Sequence, residues 1–159
     1  MTSNVYAAKR ALFTRLGQLT PTGAYLALDG VQFAYGLQEK TLTDRCVYGG
    51  RVTFTQAGAE DVTGSGPVST LIYEIATIDL HIRVRMVPTP VDGFETTDPA
   101  AEQIGDAIGH LIHTEPTLVG AGTTLRFSGG QGDYFDEDDS AVSVLTYQVE
   151  CRSYVDGTT

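Results

Sequence analysis

The sequence predicts an α+β fold, a mostly antiparallel sheet with two amphipathic helices packed on one face. Three observations carry that expectation. Leu80, Ile82, Val84 and Met86 alternate with Asp79, His81, Arg83 and Arg85, the period-two pattern of a strand with one wet face. Ile104, Ala107, Ile108, Leu111 and Ile112 recur at three- and four-residue steps, the stripe of a helix buried along one side. Strand-like runs also follow one another with short connections between and after the helical segments. Neighbours of that kind pair antiparallel, and helices on one face complete the commonest layer solution.

A chain of 159 residues fits one domain, 1–159, and no repeat or linker divides it. At that size roughly two-thirds of the unfolded chain's surface can be buried, enough to fold without metal or disulfide staples. Apolar residues at 42% against 19% charged give a globular rather than a disordered composition. Twenty acidic and ten basic residues leave a formal charge of −10. Such a surface repels phosphate, so neither nucleic-acid binding nor attachment to an anionic membrane is expected. The N-terminal ten residues show no uninterrupted apolar run after their charges, so no signal peptide is expected. The longest apolar stretch, 71–87, is interrupted by Glu74, Asp79, His81, Arg83 and Arg85, too many charges for a membrane span.

The first helix is expected over 3–18. Val5, Ala8, Leu12, Leu16 and Leu19 form its apolar stripe, with Lys9, Arg10 and Arg15 on other faces. Ser3 or Asn4 can cap its start, and Gly17 with Pro21 ends it. A turn-rich stretch, 20–30, leads to a short strand at 31–35. Strands at 45–48 and 51–55 flank Gly49-Gly50, a pair suited to a turn or a bulge. Residues 56–67 hold Gly58, Gly64, Gly66 and Pro67 among small polar residues and read as a mobile loop about a dozen residues long, a length usually functional or disordered. The segment 70–75 is β-rich and stands as a strand beside the one at 79–86, which Val87-Pro88-Thr89-Pro90 terminates. Thr97-Asp98-Pro99 supplies the cap and early proline of the second helix, and Thr114-Glu115-Pro116 stops it. A strand at 123–128, a loop at 129–139 and a final strand follow. In that last strand Leu145, Tyr147, Val149 and Cys151 alternate with Thr146, Gln148, Glu150 and Arg152.

Chemistry-bearing residues are present without the spacing that chemistry needs. Asp133, Asp136, Glu137, Asp138 and Asp139 put five carboxylates within seven residues, oxygen ligands of the kind calcium takes. Their spacing lacks the central glycine of an EF-hand, and a solvated hairpin loop is the simpler account. His110 and His113 stand three apart beside Glu102 and Asp106, and a zinc site would need further ligands that no spacing marks. His81 stands alone on the polar face of its strand. No Gly-x-Ser-x-Gly elbow occurs, and Gly129-Gly130-Gln131-Gly132 precedes acids rather than a helix, so it offers no phosphate cradle. No catalytic, cofactor-binding or metal-binding residue is therefore assigned, and the chain is not expected to be an enzyme. Cys46 and Cys151 read as reduced thiols buried on strands. Eight tyrosines and no tryptophan, with Tyr25, Tyr35, Tyr48, Tyr134 and Tyr154 near turns, suit either strand rims or a subunit interface.

The order of these pieces resembles the tail terminator proteins of long-tailed bacteriophages, also called minor tail or tail completion proteins, especially those of phages infecting actinobacteria. The resemblance is carried by 11–16 in the opening helix, by Asp44-Arg45-Cys46-Val47-Tyr48-Gly49-Gly50 and by Ile82-Arg83-Val84. It continues through 113–120 at the end of the second helix and 145–151 in the closing strand, so it spans nearly the whole chain. No single motif is diagnostic; the specificity lies in their order. The resemblance implies a homo-oligomeric, hexameric ring on the head-proximal end of the tail tube. Such a ring stops tube polymerisation, meets the tail tube protein on one side and the head connector or head-closure protein on the other, and is assembled in the host cytoplasm. Genomic DNA would pass through its lumen unbound. On that reading Asp133, Asp136, Glu137, Asp138 and Asp139 are candidates to line the lumen. Gln56, Glu60, Asp61, Gly64, Gly66 and Pro67 are candidates for a loop that orders on assembly. A head-closure or connector-associated subunit at the same junction is the alternative, and an acidic-loop calcium or ligand-binding module a third.

Overall fold

A single strand, β3 (Leu71–Met86), forms the spine of the molecule. The computed structural model describes residues 5–37, 42–57, 71–120, 123–137 and 139–156. Along the chain they form α1 (Val5–Gln18), a 3-10 helix (Gly23–Leu28), β1 (Gln32–Ala34), β2 (Arg45–Ala57), β3, α2 (Phe94–Thr114), β4 (Thr123–Glu137) and β5 (Ser140–Asp156). The sheet order is β1-β2-β3-β5-β4. The fold is α+β, and the sheet is antiparallel except where β1 runs parallel to β2.

Alternation along β3 decides what each face of the sheet does. Ala76, Ile78, Leu80, Ile82 and Val84 are buried against the helices together with Val47 of β2 and Val149 and Cys151 of β5. The intervening Asp79, His81, Arg83 and Arg85 point to the opposite face, which no helix covers among the described residues. Above the buried face, α1 contributes Val5, Ala8, Leu12, Phe13 and Leu16, and α2 contributes Ile104, Ala107, Ile108, Leu111 and Ile112. Arg15 and Glu115 join the two helices through a 3.0 Å ion pair at the C-terminal end of α2.

Two glycines let α2 sit close on the sheet. A methyl at Gly105 would fall on the Tyr147 ring, and one at Gly109 would lie 2.8 Å from the Phe127 ring. Those rings stack on each other with centroids 4.9 Å apart. The helix backbone therefore rests directly on an aromatic pair.

Several expected boundaries are corrected. The pieces 45–48 and 51–55 are one strand, and Gly49-Gly50 is a bulge inside it, with the register shifting between Gly49 and Val52. A side chain at Gly49 would strike Lys9 and the Tyr35 carbonyl, and one at Gly50 would strike His81, so the bulge is held from both faces of the sheet. Likewise the strands expected at 70–75 and 79–86 are not separate: β3 runs unbroken from Leu71 to Met86, because Ala76 and Ile78 carry the buried alternation across the gap, and Glu74 is accommodated in the interior with Gln56 donating to it at 3.2 Å. The expected loop 129–139 is mostly strand: β4 runs on to Glu137 past a bulge between Phe127 and Gly129. Glycines that suggest a loop here serve close approach, since a side chain at Gly130 would meet the Thr146 carbonyl at 2.8 Å.

α2 begins at Phe94 rather than at the Thr97-Asp98-Pro99 cap, leaving Pro99 inside the helix. Tertiary bonds hold the extra turn. The Ser143 hydroxyl donates to Asp98 at 2.5 Å, so its single proton is used. The fully buried Thr97 hydroxyl must then be the donor in the 2.6 Å bond to Ser143. Lys9, expected on a polar face, is buried: its Nζ lies 4.2 Å from the Tyr35 ring centroid and 3.5 Å from the Gly50 carbonyl.

Gly105→Ala is expected to lower unfolding free energy by ~1–3 kcal/mol through overpacking on Tyr147. Gly17→Ala, in open space on α1, is expected to raise it by ~0.5–1 kcal/mol through helix propensity. Urea denaturation of the two variants checks the pair, and the opposite signs are the diagnostic result.

Candidate interaction surface

The uncovered face of the sheet is concave and holds an open cleft of about 570 Å³. His81 sits in it, half-buried, with Nδ1 2.7 Å from the Thr146 hydroxyl and its ring 4.9 Å from that of Tyr48. Arg51, Asp79, Asp133, Phe135 and Gln148 complete the walls. Burial lowers the imidazole's pKa below the usual histidine value, against the opposing pull of Asp79 and Asp133. Burial likewise raises the Tyr48 hydroxyl. An imidazole beside a hydroxyl is the beginning of a nucleophilic site, but among the described residues no carboxylate hydrogen-bonds the other ring nitrogen to orient it.

The acidic residues do not gather into one loop. Asp133, Asp136 and Glu137 occupy β4 opposite Val144, Ala141 and Ser140, Asp139 lies in the turn, and Asp138 is outside the described residues. Asp133 faces the cleft and also borders a groove lined by Asp98, Glu102 and Tyr134. Gln56 belongs to β2, where it serves Glu74, while Glu60, Asp61, Gly64, Gly66 and Pro67 lie outside the described residues. His110 packs edge-on against Tyr25 at 5.5 Å, and His113 is exposed. Among the described residues, no three His, Cys, Asp or Glu side chains converge as a metal site would need, and no helix is long and apolar enough to cross a membrane.

Of the tyrosines near turns, Tyr134 is 58% exposed and sits 5.0 Å from the Phe94 ring. Tyr35 and Tyr48 are used internally, and the side chain of Tyr154 is outside the described residues. Sequence reasoning missed the cleft because it is built across strands. Alternation placed His81 on a wet face, but the register setting it opposite Thr146 on one side and Tyr48 on the other is a property of the whole sheet.

No family model matches the sequence, and no curated protein matches it. Among solved structures, the chain is similar to one from "Virion of native gene transfer agent (GTA) particle", with a TM-score of 0.50 and 15% identity. The likeness covers 96% of this chain and 100% of that one. At that identity it is a likeness of fold.

Both thiols are free and buried. Cys46 stands opposite Arg83 and Cys151 opposite Ala76, so they are separated by about 20 Å along β3 and cannot form a disulfide. Burial, with a smaller push from Glu150, raises the Cys151 thiol to about 12 from an ordinary value of 9.0. Burial raises Cys46 as well. Above pH 9 the unfolded chain releases protons that the folded chain keeps, so stability is level below that pH and falls as pH rises through it. Urea unfolding between pH 8 and 10 should show that decline, and Cys151→Ala should flatten it; an unchanged slope in the variant contradicts the assignment.

Proposed function

We propose that this chain is a structural subunit of a virion, and specifically a tail terminator that forms a ring on the head-proximal end of a tail tube. The observation that carries the reading is the fold correspondence with a virion chain along nearly the whole of both molecules. The sequence pieces that resemble tail terminators are distributed through the same fold, in the opening helix, β2, β3, α2 and β5. A structural role agrees with what the described surface offers. It has an open polar cleft and exposed aromatics at Phe54, Tyr134 and Phe135. The reading assigns no catalytic residue and no cofactor.

In this role the subunit makes heterologous contacts that close after a fixed rotation. Its acidity serves the passage of DNA, because an acidic lumen repels the backbone and releases no counterions on contact. Asp133, on β4, and Asp139, at the adjoining turn, are exposed members of that candidate lining. Of the expected loop 56–67, Gln56 belongs to β2, and the part that follows β2 in the sequence is the candidate for a contact made on assembly.

The test is the mass of the purified chain in solution, followed by negative-stain images of it mixed with tail tubes. The reading expects rings, six-membered by the resemblance, or caps at one end of each tube. Chains that bind head connectors but never tube ends would place the subunit on the head-closure side of the junction. Chains that bind neither would remove the reading.

A further inference from the structure

The sheet has two open lateral sides, and they carry opposite charge. On one side lie α1 and β2. α1 contributes the exposed Arg10, with Lys9 buried and Arg15 paired to Glu115, and β2 contributes Arg45 and the exposed Arg51; of the two acids beside them, Asp44 is paired with Arg85 and Asp29 is exposed. On the other lie α2 and β4. α2 contains Glu95, Asp98, Glu102 and Asp106 with no lysine or arginine. The four acids of α2 fall along one line of the helix, about 16 Å long. Glu95, Glu102 and Asp106 are exposed and have no cationic partner among the described residues, and the same holds for Arg10 and Arg51 in the opposite sense.

Backbone and apolar groups are open on the same two sides. β4 is the terminal strand of the sheet, and β2 from Arg51 onward has no neighbour on its outer side among the described residues. Unpaired strand edges are ready to dock another chain. Exposed aromatics flank both, Tyr134 and Phe135 at 58% and 50% on the acidic side and Phe54 at 51% on the basic side.

We infer that the occupant of each side is a second copy of this chain, with the α2–β4 side of one copy docked against the α1–β2 side of the next. The contact is heterologous, because the two surfaces differ, so it propagates from copy to copy and closes only as a ring. It rests on the ring reading above and adds to it the surfaces that meet. Opposite charges bring the copies together in the right order, and like charges disfavour acidic-to-acidic and basic-to-basic pairing. Because the charges lie at the surface, assembly should weaken with salt as the Debye length falls below ~10 Å.

Two variants test this by light scattering and native mass spectrometry, with far-UV circular dichroism to confirm folding. One is Glu102→Lys with Asp106→Lys; the other is Arg10→Glu with Arg51→Glu. All four side chains are exposed, so neither variant disturbs the core. Each variant alone should need a roughly 100-fold higher concentration to assemble than the unaltered chain. Mixed together they should assemble again, since every altered surface then finds a complementary one. Variants that assemble alone as the unaltered chain does, or that stay apart when mixed, overturn the assigned surfaces while leaving the ring itself standing. An unaltered chain that stays monomeric both alone and with tail tubes overturns the ring as well.

Discussion

The register of β3 is the constraint on which the rest of the structure depends. Its even positions from Ala76 to Val84 must be buried and its odd positions from Asp79 to Arg85 must stay wet, with β2 on one flank and β5 on the other. A slip of one residue would drive Asp79, His81, Arg83 and Arg85 under the helices, a cost of several kcal/mol for each unpaired charge. Once β3 is fixed, the positions opposite it are fixed too: Val47 and Val149 to the core, Tyr48, Thr146 and Gln148 to the cleft. The cleft is thus a consequence of the core, the other side of the same alternation.

Glycine adjusts this frame where two layers approach more closely than side chains allow. Gly105 and Gly109 bring α2 down onto Tyr147 and Phe127, and Gly49-Gly50 thins β2 between Lys9 above and His81 below. At that bulge an interior lysine and a cleft histidine lie on opposite sides of one backbone segment. The buried Lys9 is tolerated because its ammonium meets the Gly50 carbonyl and the Tyr35 ring, while burial lowers its pKa.

The fold class, both helical stripes and the alternation of β3 and β5 were legible in the sequence, because each is a local period imposed by burial. What was not legible depended on partners distant in the chain. Nothing near Thr97 announces that Ser143 will hold it and extend α2 upstream of Pro99. Nor does anything near Glu74 announce that Gln56 will arrive from β2 to meet it in the interior. The glycines of 129–132 suggest a loop by composition, yet they are strand residues that let β4 lie close to β5. The same error made a loop of the acidic residues. Asp133 and Asp136 are register positions in a hairpin, so the carboxylates are spread along a strand rather than gathered as ligands. Among the features missed, the arrangement of charge by element, basic on α1 and β2 and acidic on α2, could have been read directly from the sequence.

The proposed ring-forming role draws on a sheet with acids along the helix over one lateral side, exposed arginines on the other, and a polar cleft uncovered among the described residues. The most direct measurement of that role is tail-tube length in particles assembled with and without this chain, read from electron micrographs. The account predicts tubes of uncontrolled length, detached from heads, when the chain is absent, and tubes of uniform length joined to heads when it is restored. Uniform tubes joined to heads in its absence would contradict it.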